Sequence, residues 1–85
     1  MNLLHLRYFV ELAHTLHFTR AAERLCITQP SLSHAITQLE TELGVPLFER
    51  TGRTTILTRF GEQFLLCAQQ ALTTLDVKPT SVRKK

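Results

Sequence analysis

The chain has 85 residues, 44% of them apolar, and a formal net charge of +3, a size that suits one small domain with one modest core rather than two domains with separate activities. No stretch approaches the ~20 uninterrupted apolar residues of a membrane span, and His5, Arg7 and Glu11 break up the start, MNLLHLRYF, where a secretion signal needs a clean apolar run. Cys26 and Cys67 are the only cysteines and belong to no C-x-x-C pair, which argues against a disulfide framework or zinc knuckle and for two ordinary buried residues in a reducing, cytoplasmic compartment.

From Leu3 to Leu16, Leu6, Phe9, Val10 and Ala13 recur at helical spacing, with Arg7, Glu11 and His14 on the other side. A short second helix follows, with Thr19 as its expected cap, Ala21, Ala22 and Leu25 inward, and Arg20, Glu23 and Arg24 exposed. Thr28 predicts the cap of a third helix with Pro30 in its first turn, where a missing N–H does no harm. Leu32, Ile36, Leu39 and Leu43 put its apolar residues on one face, and Gly44 with Pro46 marks its end. Leu47-Phe48 and Thr55-Ile56-Leu57 flank a polar turn and read as a small β-hairpin, a wing. Thr58 predicts the cap of a fourth helix in which Gly61, Leu65, Ala68, Leu72 and Leu75 alternate steps of four and three, with Phe60, Phe64, Leu66 and Ala71 as an apolar flank. That is more apolar surface than one small core covers, so a partner helix is expected there, with Gly61, Phe64, Leu65, Ala68, Leu72 and Leu75 as dimerisation residues. The expected division is 1–58 for the three-helix core and wing, 59–77 for a linker and dimerisation helix, and 78–85 for a disordered basic tail.

Net charge does not carry a nucleic-acid reading. Lys78, Arg83, Lys84 and Lys85 lie in the tail, and without them six basic residues stand against seven acids in residues 1–77, a net charge of −1. The argument rests instead on where single residues point. A short helix, a tight turn and a second helix hold a fixed angle when small residues meet at the crossing and apolar ones fill the corner, here Ala21 and Ala22 with Leu25, Ile27, Leu32 and Ile36. The third helix then turns Gln29, Ser31, His34, Thr37, Gln38 and Thr41 outward, with Ser33 beside them, an almost uncharged hydrogen-bonding face suited to base edges in a major groove. Gln29 at the helix start is the best placed for a base. Thr28, Ser31 and the first-turn N–H groups are placed for phosphate, and Arg50 and Arg53 in the wing for the backbone or the neighbouring minor groove.

Plainer readings compete. A polar helix face is most often simply solvated, and two wing arginines are most often surface charge. His14 and His17 lack a second ligand pair for zinc, and Ser31, Ser33 and His34 lack the oxyanion loop and orienting acid of a nucleophilic site, so no metal, cofactor or catalysis is expected. Glu40 reads as structural, since an acid beside phosphates repels them.

What decides between these is the order of LRYFVELA, then FTRAAERLCITQPSLSHAITQLETELGVPLFERTGR, then ILTRFGEQFL. From about Leu3 to Leu75 the chain is similar to the N-terminal winged helix-turn-helix domain of LysR-type transcriptional regulators. The resemblance implies a mainly α fold with a linker helix that pairs with a second copy, and binding as a homodimer, often within tetramers, to interrupted palindromes in double-stranded promoter DNA. It puts the DNA-contacting pattern on Thr28, Gln29, Pro30, Ser31, Ser33, His34, Thr37 and Gln38, and on Arg50 and Arg53 in the wing. Position 34, often basic in similar proteins, is His34 here, which implies a weaker or pH-dependent contact. Similar regulators continue into an effector-binding domain of two α/β lobes, so no small-molecule effector site is expected within these residues. A competing reading is a truncated interaction module that forms mixed dimers with full-length subunits through the linker helix.

Overall fold

The computed structural model describes residues 2–75; the expected tail at 78–85 and the last two residues of the 59–77 linker segment lie outside them. Four helices and one hairpin follow in order: α1 Leu3–Thr15, α2 Phe18–Leu25, α3 Gln29–Leu43, β1 Phe48–Thr51, β2 Thr54–Leu57 and α4 Arg59–Leu75. α1 touches each of the other three helices, and its Phe9 and Leu12 are fully buried with Leu32, Leu39 and Leu47 in one core.

Each helix start has a side-chain cap. Asn2 Oδ1 accepts the His5 N–H at 2.8 Å, and Thr28 Oγ1 accepts the Ser31 N–H at 3.2 Å. Thr58 Oγ1 accepts the Gly61 N–H at 3.0 Å, as its place before the fourth helix predicts. α2 differs from expectation: its cap is His17, whose Nδ1 accepts the Arg20 N–H at 3.2 Å, and the helix begins at Phe18. An imidazole with an unprotonated Nδ1 reaches the N3 amide as an Asp or Ser does, so Thr19 falls inside the helix. α1 and α2 end without glycine, on Leu16 at φ 54° and Cys26 at φ 60°, both left-handed. Their N–H groups return to helix carbonyls, to Leu12 from Leu16 and to Ala22 and Glu23 from Cys26. That exit leaves Cys26 exposed, and Cys67 is exposed on the outer side of α4, so the expectation that both are buried is corrected.

The wing is antiparallel, pairing Phe48 with Leu57, Glu49 with Ile56, Arg50 with Thr55 and Thr51 with Thr54. Its two-residue turn has a positive φ at Gly52 (61°) and not at Arg53, the backbone of a II′ turn.

The third helix, the wing and the fourth helix meet at Leu47. Glu40 Oε2, one turn before the end of α3, accepts the N–H of Leu47 at 2.7 Å and of Phe48 at 3.2 Å. The Leu47 carbonyl accepts the Thr58 N–H at 3.0 Å, and the Thr58 hydroxyl donates to the Pro46 carbonyl at 2.7 Å. α4 then lies so close that a Cβ at Gly61 would collide with the Leu47 carbonyl oxygen and stand 2.8 Å from Leu57 Cδ2.

This approach shows what part of the heptad stripe packs against within the chain. Gly61, Ala68 and Leu72 are buried against their own chain, and Phe64 and Leu65 are partly buried on the same core. Leu75 closes the helix, its side chain outside the described set. From Gly61 to Leu72 the stripe docks α4 on its own domain, where α1 and the wing supply the apolar surface. What remains outward on α4 includes Phe60, Gln63, Leu66, Cys67, Gln70 and Thr73, with Phe60 47% and Leu66 67% exposed.

Two substitutions test the ties at Leu47. Alanine is favoured over glycine in a helix by ~1 kcal/mol, yet Gly61→Ala is expected to destabilise the domain by about 1–3 kcal/mol, because the added methyl meets backbone that cannot yield. Glu40→Ala is expected to cost about 2–3 kcal/mol in denaturant unfolding, the scale of hydrogen bonds to a charged group, with Glu40→Gln intermediate because one carbonyl oxygen still accepts both amides. A neutral or stabilising Gly61→Ala, or equal effects of the two Glu40 variants, would contradict this account.

Candidate nucleic-acid interface

The outward face of α3 carries Gln29, Pro30, Ser31, His34, Thr37, Gln38 and Thr41, all exposed, with Ser33 half-buried at its edge. It is held outward because Leu32, Ala35, Ile36 and Leu39, on the opposite side, are buried against α1 and α2. The face has no Lys or Arg and, apart from half-buried Glu40 and exposed Glu42 toward its C-terminal end, no acid.

The start of α3 offers less to an anion than its helix dipole suggests. Of the first-turn donors, Pro30 has no N–H and the Ser31 N–H is taken by Thr28 Oγ1. The Thr28 hydroxyl also donates to Ser31 Oγ at 2.9 Å. Only the Gln29 N–H is left without a protein partner among these three. Thr28 therefore acts first as a cap, and Gln29 is the residue whose side chain and amide are both available.

The wing supplies the cations. Arg53, in the turn, lines a shallow groove with Arg50, His17, Thr19 and Thr55, where the wing meets the start of α2. Arg50 also lines a second cleft, with Ser33, Thr37, Glu40 and Phe48, between α3 and β1. Its Cζ lies 3.8 Å from the centroid of the Phe18 ring. Thus Ser33, Thr37 and Arg50 share one cleft, Thr28 and Ser31 are hydrogen-bonded, and Arg53 in the turn shares only the other groove with Arg50. Gln29, Pro30, His34 and Gln38 are exposed along α3 and line neither cleft.

Sequence reasoning missed Phe18, His17 and the mode of action of Glu40. Phe18 reads in the sequence only as the residue before an expected cap, and no spacing links it to Arg50. Glu40 is structural as expected, but through backbone amides rather than an ion pair or a helix-surface role. His14 and His17 are both engaged in the fold: Gln69 Nε2 donates to His14 Nε2 at 3.0 Å, and His17 caps α2. The Arg24–Glu11 pair at 2.7 Å ties α2 to α1 at the surface, a contact worth well under about 1 kcal/mol at such exposure.

Comparison with known proteins fits this architecture. Residues 3–62 match the family model described as bacterial regulatory helix-turn-helix protein, lysR family. The chain is 49% identical over 84 residues to the HTH-type transcriptional regulator IlvR of Caulobacter vibrioides, covering 99% of this chain and 28% of that protein. It is 54% identical over 76 residues to the Hca operon transcriptional activator HcaR of Escherichia coli, covering 89% of this chain and 25% of that one. The chain thus spans about a quarter of the length of these relatives. Among solved structures, a BenM_DBD/catB site 1 DNA complex superposes with a TM-score of 0.85 at 46% identity, covering 89% of this chain and 82% of that one. A CbnR_DBD–DNA complex does so with a TM-score of 0.85 at 36% identity, covering 88% and 86%. With its helix-turn-helix, its wing and the first turn of α4 all within the matched region, the chain belongs to the lysR family of bacterial regulatory helix-turn-helix proteins.

Proposed function

We propose that this chain is a sequence-specific reader of double-stranded promoter DNA, the DNA-binding domain of a cytoplasmic transcriptional regulator that acts as a dimer. The observation that carries the reading is the pairing of an outward, uncharged hydrogen-bonding helix with a cationic wing on one side of the domain. It is supported by the likeness to domains solved as DNA complexes and by relatives named as transcriptional regulators. Gln29, Ser33, His34, Thr37 and Gln38 face base edges, Thr28, Pro30 and Ser31 shape the helix start near phosphate, and Arg50 and Arg53 hold the backbone or minor groove. The reading involves no catalysis or cofactor, and no effector site within these residues. No observation favours the mixed-dimer module over it.

Selection from a random duplex library, followed by salt titration on the selected and a scrambled duplex, tests the reading. A preferred sequence is expected to emerge and to bind above the scrambled control, with affinity falling steeply as salt rises. Gln29→Ala is expected to cost about 1–3 kcal/mol of discrimination, whereas Arg53→Ala weakens both duplexes alike and lowers the salt slope by about one. A library that shows no enrichment defeats the proposal.

For the dimer, the outward face of α4 around Leu66 and Phe60 is the proposed contact, since both are large apolar side chains left exposed by the chain's own core. The partly buried Phe64 and Leu65 flank the docking face, and Leu75 would extend the contact at the helix end. Leu66→Glu is expected to shift the sedimenting mass to the monomer with the fold intact, while Leu65→Glu lowers Tm first. An unchanged mass for Leu66→Glu would remove α4's outer face from the interface.

A further inference from the structure

We infer that Phe18 is a positioning residue for DNA binding: its ring holds the Arg50 guanidinium at the junction of α2, α3 and β1, where it is presented to a backbone phosphate. The inference rests on the DNA-binding reading above and adds to it a residue that does not itself face the duplex.

The geometry starts from Arg50. Its guanidinium carbon lies 3.8 Å from the Phe18 ring centroid, close enough for attraction between the cation and the ring quadrupole. Among the described residues no carboxylate is paired with it. Its backbone is fixed opposite Thr55 in the ladder, and alternation along the strand sends Glu49 to the other face of the wing. A salt bridge at this place would occupy the N–H fork that a phosphate needs. An aromatic face attracts the charge without accepting those hydrogen bonds, so the donors stay available.

The platform is itself anchored. Phe18 opens α2 directly after the His17 cap. Its ring meets Phe48 at 6.4 Å between centroids, Phe48 meets Phe9 at 5.5 Å, and Phe9 meets Phe64 of α4 at 5.1 Å. Phe9 is fully buried, so this row of rings runs from the core to the surface and ends under the arginine. A leucine at position 18 would fill much of the same corner but offers no quadrupole. Arg50 also shares a cleft with Ser33, Thr37 and Glu40 of α3, where the Glu40 carboxylate is engaged by the Leu47 and Phe48 amides and Ser33 and Thr37 are the neutral donors. A phosphate held there would fix the register of the helix that reads bases, which is how a backbone contact serves specificity without carrying it.

The experiment compares wild type, Phe18→Leu, Phe18→Tyr, Arg50→Ala and the double variant Phe18→Leu/Arg50→Ala on the selected duplex across a salt series, with Tm measured for each. Phe18→Leu is expected to weaken binding ~2- to 5-fold, the scale of an exposed cation–π contact, and to lower the salt slope by up to about one per chain. Phe18→Tyr, which keeps the ring, is expected to restore both, and Phe18→Leu to add little once Arg50 is alanine. In the free wild-type protein the Arg50 δ-protons are expected to be shifted upfield by the ring. A Phe18→Leu variant that loses Tm but keeps wild-type affinity and slope would overturn the inference, as would effects of the two single variants that simply multiply. Should Phe18→Leu not fold at the binding temperature, the Tyr variant and the wild-type proton shift decide: unshifted δ-protons, or a Tyr variant that binds as weakly as Arg50→Ala, would overturn it. If wild type prefers no duplex, the DNA-binding reading fails, while the proton shift still reports on the contact itself.

Discussion

The peptide of Leu47 is held from three sides. Its side chain is fully buried, its N–H is bound to the Glu40 carboxylate of α3, and its carbonyl takes the Thr58 N–H just before α4 while Gly61 packs against it. A buried backbone with both polar groups satisfied is ordinary. Here the partners come from the two elements that must keep a fixed relation to the wing. If the Glu40 carboxylate moved, the start of β1 would lose two donors' acceptor at once; if Gly61 carried a side chain, α4 would have to lift from the strand. The angle between α3 and the wing is therefore set by one residue of α3, one peptide and one glycine.

Much of this was legible in the sequence, and the reason is local. A hydroxyl residue before an apolar period, proline in the first turn and glycine after the last turn act within a few residues of themselves, so α3, its Thr28 cap and its Gly44 exit follow from the string. The Thr58 cap and the hairpin follow likewise. What did not follow is what depends on distant partners. A four-three apolar stripe says that α4 has a docking face and is silent on whether α1 of the same chain or a second copy fills it. Cys26 and Cys67 look like core residues by type, yet one falls on a left-handed helix exit and the other on the outer side of α4. The His17 cap was hidden because imidazole is an uncommon capping group, and Phe18 with Arg50 because 32 positions of chain separate residues that only the fold brings together.

Charge is distributed in a way that separates two tasks. α3's outward face carries amides and hydroxyls and no basic residue, so under the proposed DNA-binding function it would favour discrimination over affinity. The helix start adds little anion binding, since proline and the Thr28 cap consume two of its three first-turn donors. Cationic contact near α3 falls to Arg50 and Arg53, both outside that helix and both exposed. Under the proposed function, two arginines per domain would give modest attraction, so a second copy that doubled the phosphate contacts on one duplex would matter more to a neutral reader than to a basic one.

The aromatic row bears on how such a domain meets DNA. Phe64, Phe9, Phe48 and Phe18 come from α4, α1, β1 and α2, so every element except α3 and β2 contributes a ring or its support. Rings at these separations, with Phe9 sealed inside, tie the base of the wing at Phe48 to α1, α2 and α4. Together with the ties at Leu47, they link α3, the base of the wing and the first turn of α4. Under the proposed function, a wing tied to the helices in this way would make groove spacing part of what the domain selects, a readout of DNA shape at positions where no side chain touches a base.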